Sequence, residues 1–154
     1  MNQKYHLAQI NIAKGLSTLD DPIMKGFVDQ LYRINALADS SPGFIWRLQT
    51  EPGGAISVHA FGDEKIIVNM SVWESFQSLK DYVYSGKHLA ALKNKKSWFE
   101  KMPGPVLALW WIPAGTIPTV QEGKEALEQL KKFGSTSRAF TFTEPKAMPT
   151  EKCA

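Results

Sequence analysis

The feature that most constrains this chain is the order in which its apolar residues change their period. Apolar and polar residues alternate in two stretches, Tyr5 to Ala13 and Lys65 to Trp73, and this two-residue period is typical of strands with two different faces. Between and after these stretches, apolar residues recur every three or four positions, as in amphipathic helices. The order predicts β-α-β-β-α-β, followed by one further helix and a short strand. We therefore expect an α+β protein with a ferredoxin-like fold, an antiparallel sheet with two helices on one face.

Capping residues and breaks divide the chain at the borders of these elements. Asp21 and Thr119 have the residue type and spacing of helix N-caps, and they predict the starts of the first and last helices. The run Val106 to Ile112 is almost continuously apolar, which indicates a central strand that is covered on both sides. We assign residues 1–143 to one domain and residues 144–154 to a flexible C-terminal tail.

The second helical region has the least regular pattern. Its first apolar stripe runs from Phe76 to Val83, and Gly86 interrupts it. A second stripe then ends at Phe99, which places Trp98 and Phe99 on the continuation of this helix.

Composition and charge limit the kinds of partner. The chain has 154 residues and a net charge of +3 with both signs interspersed, so nothing favours a nucleic-acid partner. No apolar run approaches the roughly 20 residues that span a bilayer. Cys153 is the only cysteine, which leaves no disulfide within the chain and no cysteine-based metal site. We expect a cytoplasmic protein with no membrane partner.

The period of two collects polar residues on one side of the predicted sheet. We call this side the polar face; it carries Gln9, Asn11, Arg47, Gln49, Asn69 and Ser71. The opposite side, with Ala8, Ile10, Val68 and Met70, is the apolar face. A fully solvated face would carry Lys and Glu, so these mostly uncharged residues indicate the lining of an enclosed, partly polar cavity. With helices on one side of the sheet only, two chains could enclose such a cavity as a homodimer.

Several short motifs resemble a known superfamily over nearly the whole chain. The run VNMSVWES (Val68 to Ser75) and the Pro-Gly of SPGF resemble the dimeric α/β-barrel superfamily of antibiotic-biosynthesis monooxygenases and their heme-degrading relatives. SPGFIWR, LWWIPAG, PTVQEG and AFTF together resemble a bacterial family of domains of unknown function within it. The resemblance implies a homodimeric α/β barrel with a small-molecule pocket between the sheet and its own helices or at the barrel mouth.

The resemblance also bears on cofactors. Superfamily members include oxygenases that need no metal or cofactor, and heme-degrading enzymes that carry a Trp and, ten residues later, a His. Tyr82 and Leu92 stand at the two matching positions here, and a leucine cannot ligate iron. We predict no cofactor and no metal site, although His88, one turn before Leu92, leaves a displaced heme ligand open.

Seven residues are candidates for a site. His88 and Arg47 are the candidate catalytic residues, since histidine titrates near neutral pH and a guanidinium binds carboxylates with two hydrogen bonds. Arg47 could equally pair with an Asp or Glu, or lie along Trp46. Asn69 and Ser71 could orient a substrate or satisfy one another. The candidate ligand-binding residues are Asn11, Trp46, Asn69, Ser71 and Tyr82.

Two functions are compatible with these residues. The first is a small monooxygenase-like oxidoreductase that acts on a hydrophobic or aromatic substrate without a cofactor. The second is a dimeric ligand-binding or structural module with no turnover. A base within hydrogen-bond reach of an acidic proton on a ligand would distinguish the enzyme from the module.

Overall fold

The structure is a computed structural model that describes residues 4–48, 61–63, 65–85 and 98–149. In this part of the chain there are five strands and three α-helices, and their order matches the prediction except for an additional short strand before the last predicted sheet strand and the absence of a strand after the last helix. The strands are β1 (Tyr5–Gly15), β2 (Phe44–Arg47), β3 (Ile66–Trp73), β4 (Phe99–Glu100) and β5 (Leu107–Pro113). The helices are α1 (Lys25–Asp39), which a 3-10 turn at Pro22–Met24 precedes, α2 (Phe76–Val83) and α3 (Val120–Phe133). The predicted α+β fold with an antiparallel ferredoxin-like sheet is confirmed.

Both predicted capping residues form their hydrogen bonds; Thr119 caps α3 as predicted, whereas Asp21 caps the 3-10 turn that precedes α1. The Asp21 carboxylate accepts a hydrogen bond from the backbone N–H of Ile23 at 3.0 Å, in the turn that leads into α1. The Thr119 hydroxyl accepts one from the backbone N–H of Glu122 at 3.1 Å, so the first turn of α3 has its orphan donor satisfied. No helix in the described ranges has both the length and the apolar character that crossing a bilayer requires.

The sheet is organised around β1. This strand pairs antiparallel with β3 on one side and with β5 on the other, while β4 adds a short pairing at its end. β2 pairs with the far side of β3. The register places Gln9 opposite Ser71 and Asn11 opposite Asn69, so these predicted members of the polar face do share one side.

Helices cover both faces of the sheet, and the prediction that one face is left open for a partner is wrong. On the polar face, Ala38 of α1 and Leu79 of α2 pack in one cluster with Leu7, Trp73 and Leu109. α3 lies on the apolar face, because the side chains that share its cluster are Ala8, Ile10, Ile12, Val68, Met70, Ala108, Trp110, Ala126, Leu127 and Leu130. An amphipathic pattern predicts that a helix buries one side, but not which sheet face receives it.

The second helical region differs from its predicted pattern at its C-terminal end. α2 ends at Val83, and residues 86–97 lie outside the described ranges. Trp98 lies in a turn, and Phe99 belongs to β4, where it pairs with Gly15. Both rings contact Phe27 of α1. Two adjacent aromatic residues at the end of an apolar stripe thus do not fix a helix, since here they belong to a turn and a short strand.

The chain after α3 returns to the edge of the sheet. In place of the predicted strand at residues 138–143, isolated bridges form, and Phe140 exchanges two backbone hydrogen bonds with Leu109. The indole N–H of Trp111 donates to the backbone carbonyl of Lys146 at 2.9 Å. This segment therefore packs along β5 on the polar face.

A substitution at Gly123 tests how closely α3 packs on the apolar face. A Cβ atom at this position would lie 2.6 Å from Cδ1 and 3.3 Å from Cβ of Ile10, whose side chain is fully buried. We expect Gly123→Leu to lower the free energy of unfolding by about 1–3 kcal/mol, because a well-packed interface has no room for the added atoms. Urea unfolding followed by circular dichroism measures this loss.

Glu125→Leu, two residues further along α3 at an exposed position, is the matched control, and its effect should stay within about 0.5 kcal/mol. Adding Ile10→Ala to Gly123→Leu should cost less than the sum of the two single effects, because the pair is in contact. Additive effects would contradict the placement of α3 against β1.

Candidate functional site

The centre of the polar face carries a hydrogen-bonded group of uncharged side chains. The Gln9 amide donates to Asn69 Oδ1 at 2.7 Å and to Ser71 Oγ at 2.8 Å. The indole N–H of Trp73 donates to the same Ser71 oxygen at 2.8 Å. Gln9 is 5% exposed, Ser71 is 6% exposed, and Trp73 is fully buried. We call Gln9, Asn69, Ser71 and Trp73 the amide cluster.

Hydrogen-bond donors are left over in the amide cluster. Both N–H groups of the Gln9 amide are used, and the Ser71 oxygen already accepts two hydrogen bonds. The Ser71 O–H and the Asn69 NH₂ group donate to no other described side chain or carbonyl. Asn11 lies opposite Asn69, and its amide makes no hydrogen bond within the described ranges. Donors in such a position can stabilise an oxygen atom that carries partial negative charge.

Tyr82 forms the wall beside the amide cluster. Its ring stacks on Trp73 with centroids 5.0 Å apart, and its hydroxyl donates to the Ile34 carbonyl of α1 at 3.1 Å. Burial, followed by the nearby Asp39 carboxylate, raises the pKa of Tyr82 above its ordinary value of 10.0, while the Arg47 guanidinium opposes this shift. Tyr82 therefore stays protonated at neutral pH and orients the indole rather than accepting a proton.

Arg47 lies on the polar face, opposite Ser71, and its guanidinium is paired. Nε donates to Asp39 Oδ1 at 2.8 Å and Nη2 donates to Asp39 Oδ2 at 3.3 Å, so both carboxylate oxygens are engaged. Of the alternatives that the sequence leaves open for Arg47, the structure shows the ion pair, which ties the end of α1 to β2. A role of Arg47 in ligand binding or catalysis stays a prediction.

Trp46 lies away from the other candidates. A bulge between Phe44 and Trp46 inserts one extra residue, so Phe44 meets Trp73 on the polar face while Trp46 packs on the apolar face. The structure therefore brings Asn69, Ser71, Tyr82, Asn11 and Arg47 to one face and places Trp46 on the other.

The histidines of the chain are the candidate bases, and the described residues give little information about them. His88 lies outside the described residues. His6 faces the same side as Ala8, and its buried Nδ1 makes no hydrogen bond to the part of the chain that the structure describes. Across the described ranges, no three His, Cys, Asp or Glu side chains converge as a metal site would require.

Sequence reasoning missed three residues that shape this site. Trp73 has the same parity along β3 as Asn69 and Ser71, so the period of two could have assigned it to the group. Gln9 was placed on the polar face but not among the binding residues. Asp39 offered no signal, because its contact with Arg47 depends on the crossing of α1 over β2.

A comparison with protein families identifies the chain. The profile of the family described as Domain of unknown function (DUF3291) matches residues 6–154. The chain belongs to this family. A comparison with curated proteins finds no significant match.

Solved structures share the fold of this family member at low identity. A conserved protein from Methanosarcina mazei has a TM-score of 0.51 and 9% identity, over 71% of this chain and 93% of its own. A Pseudomonas aeruginosa protein has a TM-score of 0.50 and 8% identity, over 75% and 100% of the two chains. SnoaB, a cofactor-independent oxygenase from Streptomyces nogalater, has a TM-score of 0.48 and 12% identity, over 73% and 95%. The first two likenesses show that the DUF3291 chain shares its fold with these solved structures.

Ser71→Ala tests whether the amide cluster is a closed network. The substitution removes the acceptor of two buried donors, Gln9 Nε2 and Trp73 Nε1, and an unsatisfied buried donor is costly. We expect the free energy of unfolding to fall by about 1–3 kcal/mol in urea titrations. Ser137→Ala, at an exposed position, should change it by less than about 0.5 kcal/mol. If Ser71→Ala changed the free energy of unfolding as little as Ser137→Ala does, water would be satisfying the Gln9 and Trp73 donors.

The raised pKa of Tyr82 predicts that the free energy of unfolding depends on pH in the alkaline range. Its pKa is raised in the folded state, so the folded chain holds this proton more tightly than the unfolded chain. The resulting stability is fully present below pH 10 and is lost as the pH rises from there towards the folded pKa. Chemical unfolding between pH 8 and pH 11.5 should show a decline that is smaller in Tyr82→Phe. Tyr32→Phe is the control, because Tyr32 is exposed. If the free energy of unfolding declined equally in Tyr32→Phe and Tyr82→Phe, the assignment of the decline to Tyr82 would be wrong.

Proposed function

We propose that this protein binds a hydrophobic, aromatic small molecule between the polar face and α1, and oxidises it as a monooxygenase-like enzyme without a cofactor. The observation that carries the proposal is the amide cluster. Its donors are uncharged, partly or fully buried, and incompletely used within the described residues. A binding site of this kind combines an apolar wall with a few polar groups that fix the orientation of the ligand.

The packing of α1 supports a ligand at this place. α1 has an apolar stripe, yet Ala38 is its one buried residue, whereas α3 buries Gly123, Ala126, Leu127 and Leu130. The large side chains of the α1 stripe stay half-buried, and they are Phe27, Val28, Leu31, Ile34 and Leu37. Because α1 lies on the same face as the amide cluster, an aromatic ligand would add the contacts that these side chains lack.

The chemistry that suits the site begins at a carbonyl oxygen of the ligand. Hydrogen bonds from Asn69 and Ser71 would stabilise negative charge on this oxygen and so acidify the adjacent CH₂ group. After loss of one proton, the carbanion can give electrons to O₂, and a new C–O bond forms. Loss of water then leaves a carbonyl at that carbon, so one oxygen atom enters the product and the other leaves as water.

The proposed reaction needs a base that removes the proton from the CH₂ group. Tyr82 keeps its proton at neutral pH, and Asp39 is held by Arg47. We retain His88 as the proposed base, and its role stays a prediction.

One observation favours a second function, a ligand-binding module without turnover. The described members of the amide cluster satisfy several of one another's hydrogen-bonding groups, as a purely structural network would. Binding without oxygen uptake would support this alternative.

We also propose that the protein is a cytoplasmic homodimer, as the family resemblance implies. Because α3 covers the apolar face, the two chains would meet through another surface. Native mass spectrometry of the freshly purified protein measures both the number of chains and the mass of any retained ligand.

Asn69→Ala tests the proposed function with 2-tetralone, an aromatic ketone with an acidic CH₂ group. Removing the Asn69 donor should weaken binding about fivefold in calorimetric titrations, the loss of roughly one hydrogen bond. It should also lower oxygen uptake at an oxygen electrode. Gln121→Ala, an exposed amide on α3, is the control and should change neither value. Equal binding by both variants and the unchanged protein would rule out the amide cluster as the binding site.

A further inference from the structure

The edge of the polar face carries an acid at a place where helix electrostatics disfavour one. Asp39 is the last residue of α1, and the last turn of this helix has no basic residue. The C-terminal end of a helix carries partial negative charge, so a carboxylate there is disfavoured unless a cation compensates it. Arg47 of β2 is the cation that does so.

The ion pair occupies the edge of the Arg47 guanidinium that Nε and Nη2 form. Nε and Nη2 of Arg47 point at the two oxygens of Asp39, which is the two-point geometry by which arginine binds a ligand carboxylate. The Arg47 side chain is 20% exposed and that of Asp39 is 47% exposed, so the acid lies on the solvent side of the pair. A ligand carboxylate could reach this edge of Arg47 only by displacing Asp39.

The pair borders the amide cluster. Arg47 is the direct partner of Ser71 in the sheet register, and both charges are near enough to Tyr82 to act on its hydroxyl. Tyr82 in turn stacks on Trp73 of the amide cluster. A charged group on a ligand bound at the amide cluster would therefore meet this pair.

We propose that Asp39 is a specificity-determining residue: by holding Arg47, it keeps the site selective for neutral ligands and excludes aromatic carboxylates. This inference rests on the proposed function, since it concerns ligands of the same site. It differs from a purely structural role, in which the pair only ties α1 to β2, because a structural role predicts no change in the charge preference of the site.

Two matched probes test the inference, 2-acetonaphthone, which is neutral, and 2-naphthoate, which carries a carboxylate on the same ring. The unchanged protein should bind the ketone about tenfold more tightly than the acid in calorimetric titrations at low salt. Asp39→Asn keeps the size of the side chain and frees the charge of Arg47. We expect it to bind 2-naphthoate about tenfold more tightly than the unchanged protein does, with the ketone affinity changed by less than about twofold.

Two further variants control for charge and for folding. Asp29→Asn removes the same charge from an exposed position of α1, and it should leave both affinities unchanged. Asp39→Asn combined with Arg47→Gln should lose the gain for 2-naphthoate. Thermal melts establish that each variant is folded. If Asp39→Asn alone does not fold, the double variant is compared with the unchanged protein. Weaker binding of 2-naphthoate by the double variant would show that Arg47 binds carboxylates even in the presence of Asp39, which would overturn the inference.

The outcomes separate the two proposals. If both probes bind but Asp39→Asn has the same preference as the unchanged protein, the role of Asp39 is wrong and the proposed function stands. An equal gain in Asp29→Asn and Asp39→Asn also overturns it, because the effect would then be one of overall charge. If neither probe binds to any variant, the proposed binding site itself fails, and the inference fails with it.

Discussion

The pairing of β1 on both sides is the constraint on which the rest of the structure depends. Because β1 is hydrogen-bonded to β3 and to β5, its alternation fixes which side chains of three strands point to each face. A slip of one residue would turn Gln9 and Asn11 into the apolar cluster and expose Ile10 to the opposite side. Both faces are covered by helices, so such a slip would bury unpaired amides, and the register is strongly specified.

The two faces then receive different kinds of cover. α3 packs closely on the apolar face, where Gly123 brings its backbone against Ile10. On the polar face, α1 stays half-buried; Phe27 contacts Trp98, and Ala38 packs in one cluster with Trp73. Close packing leaves no room for a ligand, whereas a half-buried stripe over hydrogen-bond donors can accept one. This contrast between the two faces, more than any single residue, supports the proposed ligand site on the polar face.

Local patterns predicted the parts of this fold that depend on neighbouring residues. The caps at Asp21 and Thr119 and the division of β1 and β3 into two faces follow from spacing alone, and the structure confirms them. The covering of the apolar face could not be predicted, because the stripe of α3 fits either side of a sheet equally well. The contact between Asp39 and Arg47 was also out of reach, since it joins two elements whose crossing the sequence does not encode locally.

A single extra residue in β2 decides that an arginine, and not a tryptophan, borders the amide cluster. Gly43 opens the strand with a φ of 81°, and a side chain there would collide with Ser78 at the start of α2. The bulge that follows shifts the register, so Phe44 and Arg47 reach the polar face while Trp46 turns to the apolar one. Without the bulge, the side chains of β2 would alternate regularly between the two faces, and Trp46 would share a face with Phe44 beside Trp73. The bulge therefore determines that β2 brings an arginine, paired with Asp39, to the edge of the amide cluster.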